Sequence, residues 1–125
     1  MRVEVQERVT ELWYSAEYWT FNIGDELSDK YRLEVSGYSG DAGDSLRYEG
    51  DANGNGHFGC YEHNGRKFTT YDQDNDLYNN GNCADRGGGW WYSCCLYACL
   101  TCQMSLYDWW WSASCVNSRM MIKPQ

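Results

Sequence analysis

Seven cysteines constrain this chain more than any other feature, and all of them fall from Cys60 onward: Cys60, Cys83, Cys94, Cys95, Cys99, Cys102 and Cys115. Spaced this way they tie loops together, as disulfides in an oxidising compartment or as metal ligands and redox groups in a reducing one. The odd count leaves at least one thiol outside any intrachain bridge. Cys94-Cys95-x3-Cys99-x2-Cys102 has the makings of a closed tetrahedral zinc site, although adjacent cysteines rarely both ligate. His57-x2-Cys60-x2-His63 is a thinner version of the same pattern. The chain also holds 13 Gly, 11 Tyr and 7 Trp but 1 Pro. That mixture suits a loop-rich module held by covalent or metal ties. Tyr and Trp each join an apolar body to a polar handle, which suits recognition surfaces.

A second feature carries chemistry. Thr70-Tyr71-Asp72-Gln73-Asp74-Asn75-Asp76 sets carboxylates on alternate residues. Gly81-Asn82-Cys83-Ala84 and Gly87-Gly88-Gly89-Trp90-Trp91-Tyr92 follow. Hard oxygen ligands in a loop suit Ca²⁺; the plain alternative is a solvated turn rich in Asp and Asn. An EF-hand is excluded, because Leu77 stands where its glycine belongs and Cys83 where its final glutamate belongs. Gly43-Asp44-Ser45-Leu46 spells a hydrolase signature, yet a serine nucleophile needs a histidine base. Neither His57 nor His63 has an aspartate three residues before it, so the expected block is missing and no enzyme is predicted.

The balance of 18 Asp+Glu against 10 Lys+Arg, net −8, argues against nucleic acid and against anionic membrane surfaces. No apolar run approaches the ~20 residues of a membrane span. Residues 1–11 are too charged for the apolar region of a signal peptide. Val3 and Val5 alternate with charged neighbours and predict a strand over Arg2–Gln6. Leu12–Ile23 predicts a longer second strand, Asn22–Glu26 a turn, and Tyr31–Val35 a third strand, together an antiparallel meander. Asp41 or Gly43 is placed to cap a short helix over Asp44–Tyr48. Turn chemistry runs from Gly37 to Gly43, little regular structure is expected between Lys67 and Cys102, and Met120-Met121-Ile122 suits a closing strand.

Several segments, taken in order, resemble the fibrinogen-related family. They are Phe21–Glu26, Tyr31–Leu46, His63–Asp72, Asp74–Asp76, Asn82-Cys83-Ala84, Gly89–Tyr92 and Met120–Pro124. The resemblance implies an α+β fold, with an antiparallel sheet, short helices and a loop-rich calcium-binding subdomain. It further implies that residues 1–125 form a partial domain lacking an N-terminal portion. Val3 and Val5 would then lie on an open edge liable to aggregate. The family's Ca²⁺ ligands carry over to the side chains of Asp74 and Asp76 and the carbonyls of Tyr78 and Gly81, or Asn80 in place of Gly81. Asp72 would stand behind them. The family's loop bridge carries over to a Cys83–Cys95 disulfide. Cys94, Cys95, Leu96 and Trp109 carry over as the ligand rim, with a cis peptide between the two cysteines. Residues 49–60 read as an insertion. Leu96 replaces a histidine that commonly helps form the pocket, so weak or absent binding of acetylated sugars is expected. The implied role is a secreted, non-catalytic recognition module for glycans or extracellular proteins, with a disulfide-linked oligomer as one possibility. The rival readings are a truncated or diverged product that binds nothing, and a cysteine-rich zinc protein.

Overall fold

The computed structural model describes residues 1–48, 60–104, 107–110 and 113–124. The period-two pattern of Val3 and Val5 forms β1 (Arg2–Glu7). Antiparallel to it runs β2 (Trp13–Ile23), with Val3 opposite Ala16 and Val5 opposite Tyr14. Beyond β2 lies β3 (Leu33–Gly40), with Tyr18 opposite Tyr38. These three strands are the expected meander. The later chain contributes β4 (Cys99–Met104), β5 (Tyr107–Trp110) and β6 (Ala113–Met121). All six form one sheet in the order β3-β2-β1-β6-β5-β4.

That order corrects the expectation of an open edge at Val3 and Val5. The place beside β1 is filled by β6, with Val3 opposite Met120 and Val5 opposite Ser118. Hence β1 is a central strand, and the edges fall to β3 and β4.

One sheet face carries the core. Val3, Val5, Ala16 and Tyr18 pack with Ala42, Leu46, Trp110 and Cys115. The larger aliphatic side chains among them, Val3, Val5 and Leu46, each contribute about 1.5–3 kcal/mol on burial. Charges pair on the other face: Arg2 with Glu17, Glu4 with Arg119 at 3.0 Å, and Arg119 5.2 Å above the Trp13 ring. Exposed pairs of this kind contribute about 0–1 kcal/mol each. Trp19 is 89% exposed on the same strand.

Three local readings differ. β3 starts two residues later than predicted because Lys30 and Tyr31 adopt φ of 49° and 56°, a conformation that ends the helix before it. It then runs on through Gly37, read as a turn, to Gly40, where a side chain would strike the Ser15 carbonyl. No helix forms over Asp44–Tyr48, since tertiary partners take that backbone. Leu46 N–H reaches the Tyr18 hydroxyl at 3.5 Å, and the Leu46 carbonyl accepts from His63 and Asn64 N–H at 3.1 and 2.8 Å. The four-residue helix α1 (Glu26–Asp29), which was not expected, starts on the last residue of the expected Asn22–Glu26 turn. Its cap is Asp25, whose carboxylate accepts from the N–H of Leu27 and Ser28. Among the described residues, no helix is long and apolar enough to cross a membrane.

Candidate metal loop and bridged rim

The chain after β3 is irregular but well tied. Asn64 Oδ1 accepts the Val35 N–H at 2.8 Å, which fixes the His63-Asn64-Gly65 turn to the β3 edge. Thr69 and Trp90 exchange backbone hydrogen bonds at 3.0 and 3.2 Å. Asn75 spans the base of the acidic loop, donating from Nδ2 to the Phe68 carbonyl at 2.9 Å. Asn82 closes its far side, donating to the Thr70 carbonyl at 3.0 Å while its Oδ1 caps a 3₁₀ turn over Cys83–Arg86.

Within this frame Asp74 and Asp76 come together. Asp74 Oδ1 accepts the Asp76 N–H at 3.2 Å. Asp76 accepts from Tyr78 N–H through Oδ1 and from Cys83 N–H through Oδ2, both at 2.8 Å. Burial pushes the Asp76 carboxyl above its usual range, and the neighbouring Asp74 carboxylate adds to that against the pull of the two N–H donors. Asp72 is turned aside, accepting from Thr70 Oγ1 at 2.7 Å.

Two adjacent carboxylates, with Asp74 raising the proton affinity of Asp76, suit a divalent cation. Each ionised oxygen retains acceptor capacity beyond one N–H bond. Among the described residues, no group of three or more His, Cys, Asp or Glu side chains could hold a metal. A closed all-side-chain centre of the zinc kind is therefore not built here. The donor set fits Ca²⁺, which accepts backbone carbonyls and waters alongside a few carboxylates.

The rim follows directly from the same loop. Cys83 is bridged to Cys95, with Cα atoms 5.5 Å apart, and Cys60 to Cys94, with Cα atoms 4.7 Å apart. The double cysteine thus staples two separate loops to one dipeptide. Cys99 is bridged to Cys102. All four cysteines of the zinc pattern are consumed as disulfides, which overturns that reading. Cys115, the seventh, is 1% exposed and lies in the core cluster. The Cys94–Cys95 peptide is trans, not cis. Cys94 N–H already donates to the Cys60 carbonyl at 3.1 Å. Leu96 is partly buried against the core. The side chain of Trp109 lies outside the described residues, as do residues 49–59 of the insertion. Of the tryptophan triplet, Trp110 is core at 1% exposure, donating to the Gly43 carbonyl at 3.3 Å.

Under the rim lies a residue whose role the sequence did not reveal. His63 is fully buried, with Nδ1 on the Trp91 carbonyl at 2.8 Å. Its Nε2 accepts from the N–H groups of Tyr97 and Ala98, each at 3.0 Å. The ring thereby links the turn after Cys60 to the segment after Cys95. Tyr48, Tyr61 and Tyr97 gather beside it, Tyr48 and Tyr97 stacked at 4.1 Å. Ser45 of the hydrolase-like motif is fully buried, and its hydroxyl has no hydrogen-bond partner. His63, the histidine among the described residues, is committed elsewhere and does not serve Ser45 as a base.

Residues 1–110 match the family described as fibrinogen beta and gamma chains, C-terminal globular domain. The chain belongs to the fibrinogen C-terminal family. Fibrinogen-like protein A of Apostichopus parvimensis is 40% identical over 112 residues, 86% of this chain and 34% of that protein. Human fibroleukin is 44% identical over 84 residues, 66% of this chain and 17% of that protein. The chain thus spans 34% and 17% of the length of these two curated relatives. The fibrinogen-like globe domain of human ANGPTL6 superposes with a TM-score of 0.69 at 29% identity, covering 94% of this chain and 53% of that one. Lamprey fibrin D-dimer, solved with the peptide Gly-His-Arg-Pro-amide, gives 0.68 at 30% identity over 89% of this chain and 33% of that one. The fold is thus the fibrinogen-like globe, an antiparallel sheet with few helices.

Proposed function

We propose that this fibrinogen-family chain is a non-catalytic, extracellular recognition module whose binding rim is set by Ca²⁺. Asp74 and Asp76 supply the side-chain ligands, and the carbonyls of Tyr78 and Gly81 complete the protein's share. The ion supplies charge neutralisation for two carboxylates that otherwise repel. Asp76 is the observation that carries the reading. One carboxylate faces Asp74 and also clamps Cys83 N–H, and Cys83 is bonded to Cys95 on the rim. Ordering the loop therefore orders Cys94, Cys95 and Leu96, with Trp109 on the neighbouring strand β5.

The ligand class follows from the rim's donors. An acetyl group needs a donor for its carbonyl oxygen. Leu96 has no side-chain donor, and Cys94 N–H is already engaged. Leaving such an oxygen without a partner costs about 1–3 kcal/mol. Extracellular protein surfaces are therefore better partners than acetylated sugars. Thermal unfolding with and without Ca²⁺ tests the site, since an ion that binds only the native state raises the midpoint. A Ca²⁺ shift that persists unchanged in D74A/D76A refutes the assignment.

A further inference from the structure

A pocket opens on the core face of the sheet. Its volume is about 160 Å³. The walls are Val5, Tyr14, Ala42, Trp110 and Cys115. Val5 and Ala42 are each 4% exposed, and Trp110 and Cys115 each 1%, so the floor is mostly apolar. An apolar cavity of roughly this size is enough to admit benzene.

Among the described residues, its remaining lining groups are both acidic. Glu7 ends β1, and Asp41 follows β3. Asp41 Oδ1 accepts the Ser15 N–H at 2.8 Å, which fixes that carboxylate in place. Glu7 Oε2 accepts from the Thr10 hydroxyl and N–H, each at 2.7 Å, and Oε1 from Val9 N–H at 3.0 Å. These bonds, the Thr10 hydroxyl first, hold the Glu7 carboxyl below its usual range and keep it ionised at neutral pH. The chain as a whole is acidic, at net −8, with Arg8 the cation beside Glu7.

We propose that this pocket binds a small organic ammonium ion with a compact apolar body, with an arylalkylamine as the simplest fit. The apolar body occupies the cavity between Val5, Ala42 and Trp110, and the ammonium group meets Glu7 and Asp41. Tyr14 and Trp110 add aromatic surface that favours a cation. An anion of equal size is repelled by the same two carboxylates. No residue of the pocket belongs to the Asp74–Cys95 loop, so the site stands or falls independently of Ca²⁺.

Titration of the isotope-labelled full chain by NMR tests the proposal, with benzylamine as the probe and benzoate as its anionic counterpart. Benzylamine should give saturable shifts in the millimolar range or below. Those shifts should centre on the amides of Val5, Ala42 and Cys115 and on the Trp110 indole N–H. Benzoate should bind at least tenfold more weakly. Asp41→Asn keeps an oxygen acceptor for Ser15 N–H while removing the charge, and should narrow that gap several-fold. Ala42→Leu fills the cavity and should abolish the response; if that variant misfolds, the benzoate and Asp41→Asn comparisons decide. Equal affinity for the two probes, shifts centred elsewhere, or no saturation overturns the proposal.

Discussion

Protonating His63 should unfold this domain's centre, and the size of the effect can be worked out. Only the neutral ring satisfies its surroundings: Nδ1–H donates to the Trp91 carbonyl, and Nε2 accepts from Tyr97 and Ala98. A proton on Nε2 would face two N–H donors with no lone pair to offer. Burial, with a smaller push from Arg66, lowers the pKa from its ordinary 6.5 to about 4. The unfolded chain therefore binds more protons than the folded one between those values. The contribution to stability is complete above the unfolded pKa and is lost as pH falls through the folded one. At 1.36 kcal/mol per unit, the full window of about 2.5 units amounts to ~3 kcal/mol. Urea unfolding of the wild type and His63→Gln isolates this term, because the variant cannot titrate there. Between about pH 6.5 and about pH 5, above most carboxylate titrations, the wild-type advantage should shrink by ~2 kcal/mol. NMR titration of the His63 ring in the intact protein provides an independent check. A folded pKa near 6.5, or a stability difference flat across that window, would refute the reasoning.

Other consequences follow from the acidic loop and its bridge. Asp76→Asn should destabilise the chain by about 1–3 kcal/mol even without Ca²⁺, because it disturbs the acceptors for Tyr78 and Cys83 N–H; chemical denaturation in chelator measures this. Asp74→Asn relieves like-charge repulsion, so it should leave apo stability unchanged or raised while removing the Ca²⁺-dependent shift in midpoint. The paired change Cys83→Ser/Cys95→Ser should cost ~3 kcal/mol, read from unfolding under non-reducing conditions. Calorimetry with N-acetylglucosamine in excess Ca²⁺ should show no saturable heat, and tight binding would mean that the rim holds a donor other than Cys94 N–H.

The local half of this fold was legible in the sequence, and the non-local half was not. Val3 and Val5 announce β1 because a half-buried strand requires period two. The second partner of β1 was legible only at its end, as the closing strand expected at Met120-Met121-Ile122. β6 reads Ala-Ser-Cys-Val-Asn-Ser-Arg-Met-Met, with no clean alternation, and its register shifts between Gln6 and Glu7. The Asp44–Tyr48 segment carries a helix start signal that Tyr18, His63 and Asn64 override by taking its backbone. In the site, alternating carboxylates and family resemblance pointed to Asp74 and Asp76. Nothing in the spacing of Cys60, Cys94, Cys99 and Cys102 distinguished disulfides from zinc, since connectivity is a property of the folded chain. His63 was visible only as part of a His-Asn-Gly turn, and its three backbone partners lie 28 to 35 residues away.

The position of β6 sets a timetable for synthesis. Until residues 113–121 have left the ribosome, β1 has a neighbour on one side only, and β4 and β5 have no strand joining them to the rest. A nascent chain therefore carries a three-stranded β3-β2-β1 ribbon well before the later strands are made, and the β4-β5 hairpin, once made, stays detached until β6 joins it. The closing contacts pair residues more than 100 positions apart, such as Arg2 with Met121, and contacts of such separation form late. Val3 and Val5, harmless in the finished sheet, are the segment most exposed to a chaperone or to another nascent chain during that interval.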